Sequence, residues 1–297
     1  MSAILVVGAT GLLGSDICKQ LVENGKSVRA LVRTTTDPAK VDRLKSLGVE
    51  IVQGDVRDRA SLDNACKGVD AVISTVSAMP FSYQPGVNDI QTTDLEGLTN
   101  LIEAAKENHV SHFIYTSFSK NIDQDFPLRN AKREVEKRLM ESGLTYTILR
   151  PSCFMELWLG PAVGFDPANG KVVIYGTGKN PVGWIAIHDV TQFAVASLDH
   201  PEAKNAILEL GGPESISALE AVGCFEQANG RPIEMQFMPM EAIEAQQAAA
   251  TDPMQESFSG LMHAVAVGDP IDMSTTLQTF SIHPTSVEEY ARRVLAA

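Results

Sequence analysis

The residues best placed to do chemistry begin at Gly8. Gly8-Ala9-Thr10-Gly11-Leu12-Leu13-Gly14 follows the apolar run Ile4–Val7 and opens a segment whose Leu13, Ile17 and Leu21 share one helical face. Glycines here permit a tight turn, close backbone approach to a pyrophosphate, and close helix–strand contact. The helix that starts there offers unpaired N–H groups and a positive dipole end to phosphate oxygens. The G-x-x-G-x-x-G spacing is one residue longer than the usual dinucleotide fingerprint, so the strand–loop–helix setting carries more weight than the glycines alone. A plain βα turn would not need all of these glycines. Gly8, Thr10, Gly11, Leu12, Leu13 and Gly14 are therefore read as a dinucleotide cradle.

Further polar groups fall at the ends of the next strand-like runs. Val28–Arg33 ends on a guanidinium, followed by Thr34, Thr35, Thr36 and Lys40. A carboxylate about 20 residues past the loop would bind the ribose 2′-hydroxyl of NAD. Arg33 at that place suits a 2′-phosphate instead. NADP(H) is favoured over NAD(H); the competing reading is a solvated surface arginine. Asp55, beside Val56 and after Glu50–Gln53, either accepts from an adenine amino group or caps the next turn. Thr75-Val76-Ser77, after the run at Ala71–Ile73, is expected on the ribose side of the groove.

Apolar bulk follows where ligands of open α/β sheets gather. Met79, Phe81 and Tyr83 follow the fourth run and Phe118 the fifth. Phe154, Met155, Trp158 and Leu159 follow the last. These loop-borne residues are read as a substrate wall for a small hydrophobic, aromatic compound. Met235, Met238, Met240, Met254 and Met262 read first as ordinary core.

The elements that must position these residues alternate over the first 150 positions. Strand-like runs include His112–Thr116 and Thr145–Leu149; helical patterns cover 42–47, 61–67, 94–108 and 131–142, with Glu134 and Arg138 spaced for an i, i+4 ion pair. Such alternation demands crossover connections, hence a Rossmann-type, doubly wound parallel sheet with helices on both faces. After Pro151 the alternation breaks down. The expected division is a dinucleotide-binding domain over 1–150 and a smaller substrate region over 151–297, with Ala206–Leu210 a strand free to rejoin the main sheet.

The 297 residues are 44% hydrophobic and 21% charged, ordinary for a globular chain with a sizeable core. A net charge of −13 argues against nucleic acid and against an anionic membrane surface as partners. Cys18, Cys66, Cys153 and Cys224 lie far apart, with no C-x-x-C pair. That suits neither a disulfide framework nor a zinc site, so no metal and a reducing compartment are expected. Met1-Ser2-Ala3 runs straight into the first apolar stretch, with no basic leader and no span-length apolar segment. A cytoplasmic location is expected.

Gly8–Gly14, Val28–Arg33, Gly54-Asp55 and Leu149-Arg150-Pro151 together resemble the atypical short-chain dehydrogenase/reductases. The stretch from Ser142 through Glu156 is the most specific match and is similar to the NmrA-like branch, which includes quinone reductases, triphenylmethane-dye reductases and relatives of isoflavone reductases. The resemblance spans the chain and is strongest to about residue 160. It implies NADP(H) in a Rossmann-type groove, Lys132 on the nicotinamide ribose, and Pro151 and Phe154 bordering the ring. The wider superfamily uses Tyr-x-x-x-Lys, whereas this segment is Leu128-Arg129-Asn130-Ala131-Lys132. Ser117 or Ser119 falls at the serine position, but its acid partner is missing. By itself, a helix lysine would be read as solvated.

Losing that acid constrains the chemistry. An unactivated ketone needs a positioned proton donor as it is reduced. Quinones, enones, quinone methides and cationic dyes give delocalised or neutral products that take a proton from water. Tyr83, Lys120 and His188 are candidate replacement donors. The leading reading is an NADPH-dependent oxidoreductase acting on a conjugated hydrophobic acceptor, with Lys132 as its catalytic residue. The alternative is a non-catalytic NADP(H)-binding redox sensor with a protein partner. A nucleotide-sugar epimerase or dehydratase would need the missing tyrosine.

Arg33 yields the first prediction. A charge-assisted hydrogen bond is worth about 1.5–3 kcal/mol, so Arg33→Ala should weaken NADPH roughly 10- to 150-fold and spare NADH. Titration calorimetry with both cofactors checks this; equal Kd values in the unmodified protein would overturn it.

Overall fold

The computed structural model describes residues 3–80 and 82–296. Phe81, one of the candidate substrate contacts, lies outside the described residues. The chain begins with β1 (Ala3–Val7), buried at every position, as befits a Val/Ile/Leu run covered on both faces. There follow α1 (Leu12–Glu23), β2 (Val28–Val32), α2 (Pro38–Ser46), β3 (Glu50–Gln53), α3 (Arg59–Cys66) and β4 (Val69–Ser74). A π-helix, Ile90–Gly97, runs directly into α4 (Leu98–Glu107), and β5 (His112–Thr116), α5 (Pro127–Glu141) and β6 (Thr145–Pro151) complete the series.

The strands form a seven-stranded sheet in the order Ala206–Leu210, β6, β5, β4, β1, β2, β3. The pairs β1–β2, β2–β3, β1–β4, β4–β5 and β5–β6 are parallel. This is the doubly wound, Rossmann-type α/β fold. Its strand order reverses at β1, so the carboxyl ends of β1 and β4 flank the crevice where such sheets bind ligands.

The helices start earlier than apolar periodicity alone suggests. Asp37 caps α2 by accepting the Ala39 N–H at 2.9 Å, and Pro38 supplies a preset φ, so the helix begins at 38 rather than 42. Asp58 caps α3 in the same way. Pro127 opens α5 four residues ahead of the periodic pattern, and the expected Glu134–Arg138 pair is present at 2.8 Å. The helix expected over 94–108 begins instead at Ile90, where Asp89 and Thr92 form a capping box.

The chain divides into two compact units. The first comprises Met1–Ser117, Asn130–Leu149 and Val190–Leu208. Its core gathers Leu5, Val7, Leu62, Val72, Leu101, Phe113 and Ile148. The second comprises Phe118–Arg129, Arg150–Asp189 and Glu209–Ala297. It carries a three-stranded sheet (Phe165–Asp166, Lys171–Tyr175, Glu234–Met238), a small antiparallel pair (Pro181–Val182 with Ile216–Ser217), and helices including Ala218–Asn229, Pro253–Val267 and Val287–Leu295. Trp158, Trp184, Phe225, Met262 and Tyr290 lie in its core. Among the described residues no helix is long and apolar enough to cross a membrane.

Two helical glycines make opposite predictions. A Cβ on Gly14 would sit 2.2 Å from the Gly8 carbonyl oxygen, a backbone atom that cannot step aside. A Cβ on Gly223, exposed in helix Ala218–Asn229, meets nothing within 4 Å. Thermal unfolding should show Gly223→Ala stabilised by about 0.5–1 kcal/mol through helix propensity, and Gly14→Ala destabilised by about 1–3 kcal/mol through overpacking. Equal effects would mean that the loop does not clasp the helix.

Candidate functional site

The glycine loop is built by backbone geometry. Gly8 leaves β1 with φ +87°, a left-handed turn that a side chain would strain. The Gly11 N–H donates to the Gly8 carbonyl at 3.0 Å, and Gly11 then starts α1 with no side-chain cap and no acidic residue in the first turn. The first-turn N–H groups of a helix have no acceptor within it. They and the positive dipole end are therefore left for an anion. Thr75 closes the other side, its N–H donating to the Val7 carbonyl at 2.9 Å. Leu13 is buried and anchors α1, Thr10 is half-buried, and Leu12 is exposed.

At the ends of β2 and β3 the sequence missed a partner. Asp55 Oδ1 accepts from the Arg57 N–H at 3.0 Å and from its Nε at 2.8 Å, while Oδ2 accepts from Nη2 at 2.6 Å. Asp55 thus caps its own turn. The Arg57 hydrogen bond, aided by the charges of Arg57 and Arg33, holds this carboxyl below the usual carboxylate range against its partial burial. Arg33 is half-buried just beyond β2. Beside Arg57 lies a cavity of about 300 Å³, lined also by Gly86, Val87, Thr92, Glu96 and Asn100. Val56 is buried under Gly97, where any Cβ would meet Val56 Cγ2 at 2.5 Å. An Asp two residues before an Arg was the available signal for this fork.

Lys132 is not a surface lysine. It is 4% exposed, its Nζ donating to the Thr116 carbonyl at 3.3 Å and standing 5.4 Å from the Tyr115 ring centroid. Burial pushes its pKa down, and the charges of Asp94 and Glu136 oppose that. Burial pushes the Asp94 carboxyl up, while the Lys132 charge and the Ala78 N–H, at 2.9 Å from Oδ2, pull it back. Glu136 is buried as well and accepts from Arg133 at 2.8 Å. Sequence reading named neither carboxylate.

Several buried polar atoms at this sheet edge have no hydrogen-bond partner among the described residues: Ser74 Oγ, Asp94 Oδ1, Thr116 Oγ1 and Ser117 Oγ. Buried polar groups are ordinarily paired. Together with the uncapped start of α1, they are a donor and acceptor set that fits a polar, anionic ligand such as a dinucleotide. Val76, Ser77, Met79 and Tyr83, in the loop after β4, are half-buried. The Ser77 hydroxyl accepts from the Met79 N–H at 3.2 Å.

The remaining sequence-derived candidates belong to the second unit. Ser119 is committed elsewhere, donating to Asp269 Oδ1 at 2.5 Å, with Ser152 and Asn121 on the same carboxylate at 2.7 and 2.8 Å. Phe118 and Phe154 are half-buried, and Pro151 is buried. Trp158 is packed into the unit's core, edge-on to Tyr175 at 6.1 Å and stacked on Phe258 at 6.3 Å, with Met155 and Leu159 also buried. Leu128 is buried, and its N–H donates to Ser257 Oγ at 3.1 Å. Lys120 and His188 are exposed. Of the methionines, Met262 is core, Met238 and Met240 pack against it, and Met235 is exposed.

A doubly wound sheet with a glycine loop at its first βα turn and a buried lysine beside its fifth strand defines a Rossmann-type α/β protein. The NmrA-like family pattern matches residues 1–291, and the chain belongs to that family. It is 30% identical to eugenol synthase 2 of Clarkia breweri, over 97% of each chain. It is also 30% identical to an NAD(P)H azoreductase of Xenophilus azovorans, over 93% of this chain and 91% of that one. Among solved structures, the triphenylmethane reductase of Citrobacter sp. complexed with NADP(H) superposes with a TM-score of 0.78 at 21% identity, covering 98% of this chain and 99% of that one.

Proposed function

We propose that this chain is an NADPH-dependent reductase whose acceptor is hydrophobic and conjugated: a quinone, an enone, a quinone methide or a dye-like compound. The observation that carries the reading is Lys132, buried at the end of β5 with a leucine, not a tyrosine, four residues before it. The azo and dye reductases among its relatives and fold neighbours are in keeping with such acceptors.

Bound NADPH supplies the hydride. In this reading the loop Gly8, Thr10, Gly11, Leu12, Leu13 and Gly14 receives the pyrophosphate on the first turn of α1. Arg33 takes the 2′-phosphate, and Asp55, fixed by Arg57, borders the adenine end with Val56. Thr75, Val76 and Ser77 line the ribose side. Ser117 and Lys132 hold the nicotinamide ribose, Lys132 donating from Nζ. Within the first unit, Met79 and Tyr83 offer the acceptor an apolar edge. The reduced acceptor spreads its charge through conjugation and takes its proton from water, so no side chain need deliver one.

The test is steady-state NADPH oxidation with menadione, a cationic triarylmethane dye and cyclohexanone. A positioned acid is worth about 10²–10⁴-fold, so kcat/KM for the ketone should fall at least roughly 100-fold below that for the other two. Lys132→Ala should lower quinone turnover on the order of 100-fold, because misplacing the donor by about 1 Å has that effect. Efficient ketone reduction would mean that another residue delivers the proton. Tight NADPH binding with no oxidation of any acceptor would turn the reading to a sensor with a protein partner.

A further inference from the structure

Phe118 and Phe154 stand in loops, and a loop keeps one shape only where something ties it. In the second unit one carboxylate ties both. Asp269 lies on the extended segment 268–273, which links helix Pro253–Val267 to helix Ser274–Thr279. Glycines make room for this strap. Gly268 turns with φ +95°, and Cβ atoms on Gly183 and Gly211 would stand 3.1 and 2.9 Å from the Ile271 side chain. The Asp269 N–H donates to the Pro181 carbonyl at 2.9 Å, and the Asp269 carbonyl accepts the Gly183 N–H at 2.8 Å. Backbone pairing thus fixes the place from which the Asp269 side chain reaches out. Its carboxylate is 1% exposed. Oδ1 accepts from the Ser119 hydroxyl at 2.5 Å and from the Asn121 amide at 2.8 Å, while Oδ2 accepts from the Ser152 hydroxyl at 2.7 Å.

We propose that Asp269 is a positioning residue for an aromatic-ligand wall in the second unit: by holding Ser119 and Ser152 at once, it sets Phe118 and Phe154 to receive a flat, conjugated compound. This rests on the reading of those two residues as acceptor contacts. Ser119 directly follows Phe118 in the loop after β5, and Ser152 precedes Cys153 and Phe154 in the loop after β6. The loops also meet through the Ser119 N–H, which donates to the Pro151 carbonyl at 3.0 Å. Phe154 is fixed from its other side, where the Cys153 carbonyl accepts the Ile185 N–H at 3.0 Å and the Met155 N–H donates to the Ile185 carbonyl at 2.9 Å. A carboxylate accepts at both oxygens and donates nothing, so it can gather several donors at one point. Burying such a group costs stability that an apolar side chain would spare. The donors it gathers all belong to the two loops that carry the phenylalanines, not to the apolar core around Trp184 and Phe225.

The test is binding and turnover of a cationic triarylmethane dye by Asp269→Ala, the Kd being read from the dye's absorbance shift with NADP+ present. When only part of a population holds the binding-competent shape, the apparent Kd rises in inverse proportion to that part. Hydrogen bonds to a charged group are worth about 10- to 150-fold in an equilibrium, so Asp269→Ala should raise the dye's Kd and KM at least roughly 10-fold. Turnover at saturating dye and the NADPH affinity should hold. A merely structural role would do the reverse, lowering kcat with the folded fraction and leaving KM in place. Asp269→Asn keeps an acceptor oxygen for Ser119 and Asn121 and should recover most of the dye affinity. A folded Asp269→Ala with unchanged dye Kd and KM overturns the proposal. Should that variant fail to fold, Ser119→Ala and Ser152→Ala decide: a raised dye Kd in either supports it, and an unchanged Kd in both overturns it. If Phe118→Ala and Phe154→Ala leave dye affinity intact, the acceptor-contact reading fails. If they weaken the dye while Asp269→Ala does not, only the role of Asp269 fails.

Discussion

An ammonium that is 4% exposed must be compensated by its immediate surroundings, since an isolated charge in a protein interior is far costlier than one in water. The first unit meets that demand from several elements at once. β5 contributes the Thr116 carbonyl and the face of Tyr115, α5 contributes Glu136, and the π-helix contributes Asp94. Removing any one leaves the others incompletely matched. The lysine therefore draws on β5, α5 and the π-helix together for its electrostatic surroundings.

The glycine loop follows a different logic, in which local covalent geometry suffices. Gly8 turns left-handed, Gly14 lets α1 press against the Gly8 carbonyl, and the uncapped start of α1 results. Nothing distant is needed except Thr75, which closes on the Val7 carbonyl across the β1–β4 boundary. The two halves of the candidate site thus depend on different kinds of information.

That difference decides what could be read from the residues in order. The cradle and the strand alternation were legible because glycine spacing and apolar runs are local signals. Lys132 was identified by resemblance alone, since nothing in Arg129-Asn130-Ala131-Lys132 tells that its side chain turns inward. Asp94 stands where the 3.6-residue period predicts the start of an ordinary helix. Its burial depends on π-turns, which no 3.6-residue period can announce, although Asp89 and Thr92 did mark the true beginning. Arg57 was missed because its fork with Asp55 pairs residues only two apart. Helix Pro253–Val267 escaped notice because its buried face includes Ser257, Ser259 and Gly260. Gly260 lies there because a Cβ would meet the Phe126 ring at 2.3 Å, a demand for smallness that reads as polarity.

Each compact unit is assembled from three separated stretches of chain. A break near residue 150 would therefore release no complete half. It would strip Val190–Leu208 from the first unit and leave the edge of β6, which Ala206–Leu210 covers, open to foreign strands. During synthesis the same edge stays bare until residue 210 has left the ribosome, long after the glycine loop is made. Contacts so distant along the chain form slowly. The nascent polypeptide must wait with its first sheet unfinished, which makes this protein a poor subject for dissection into fragments.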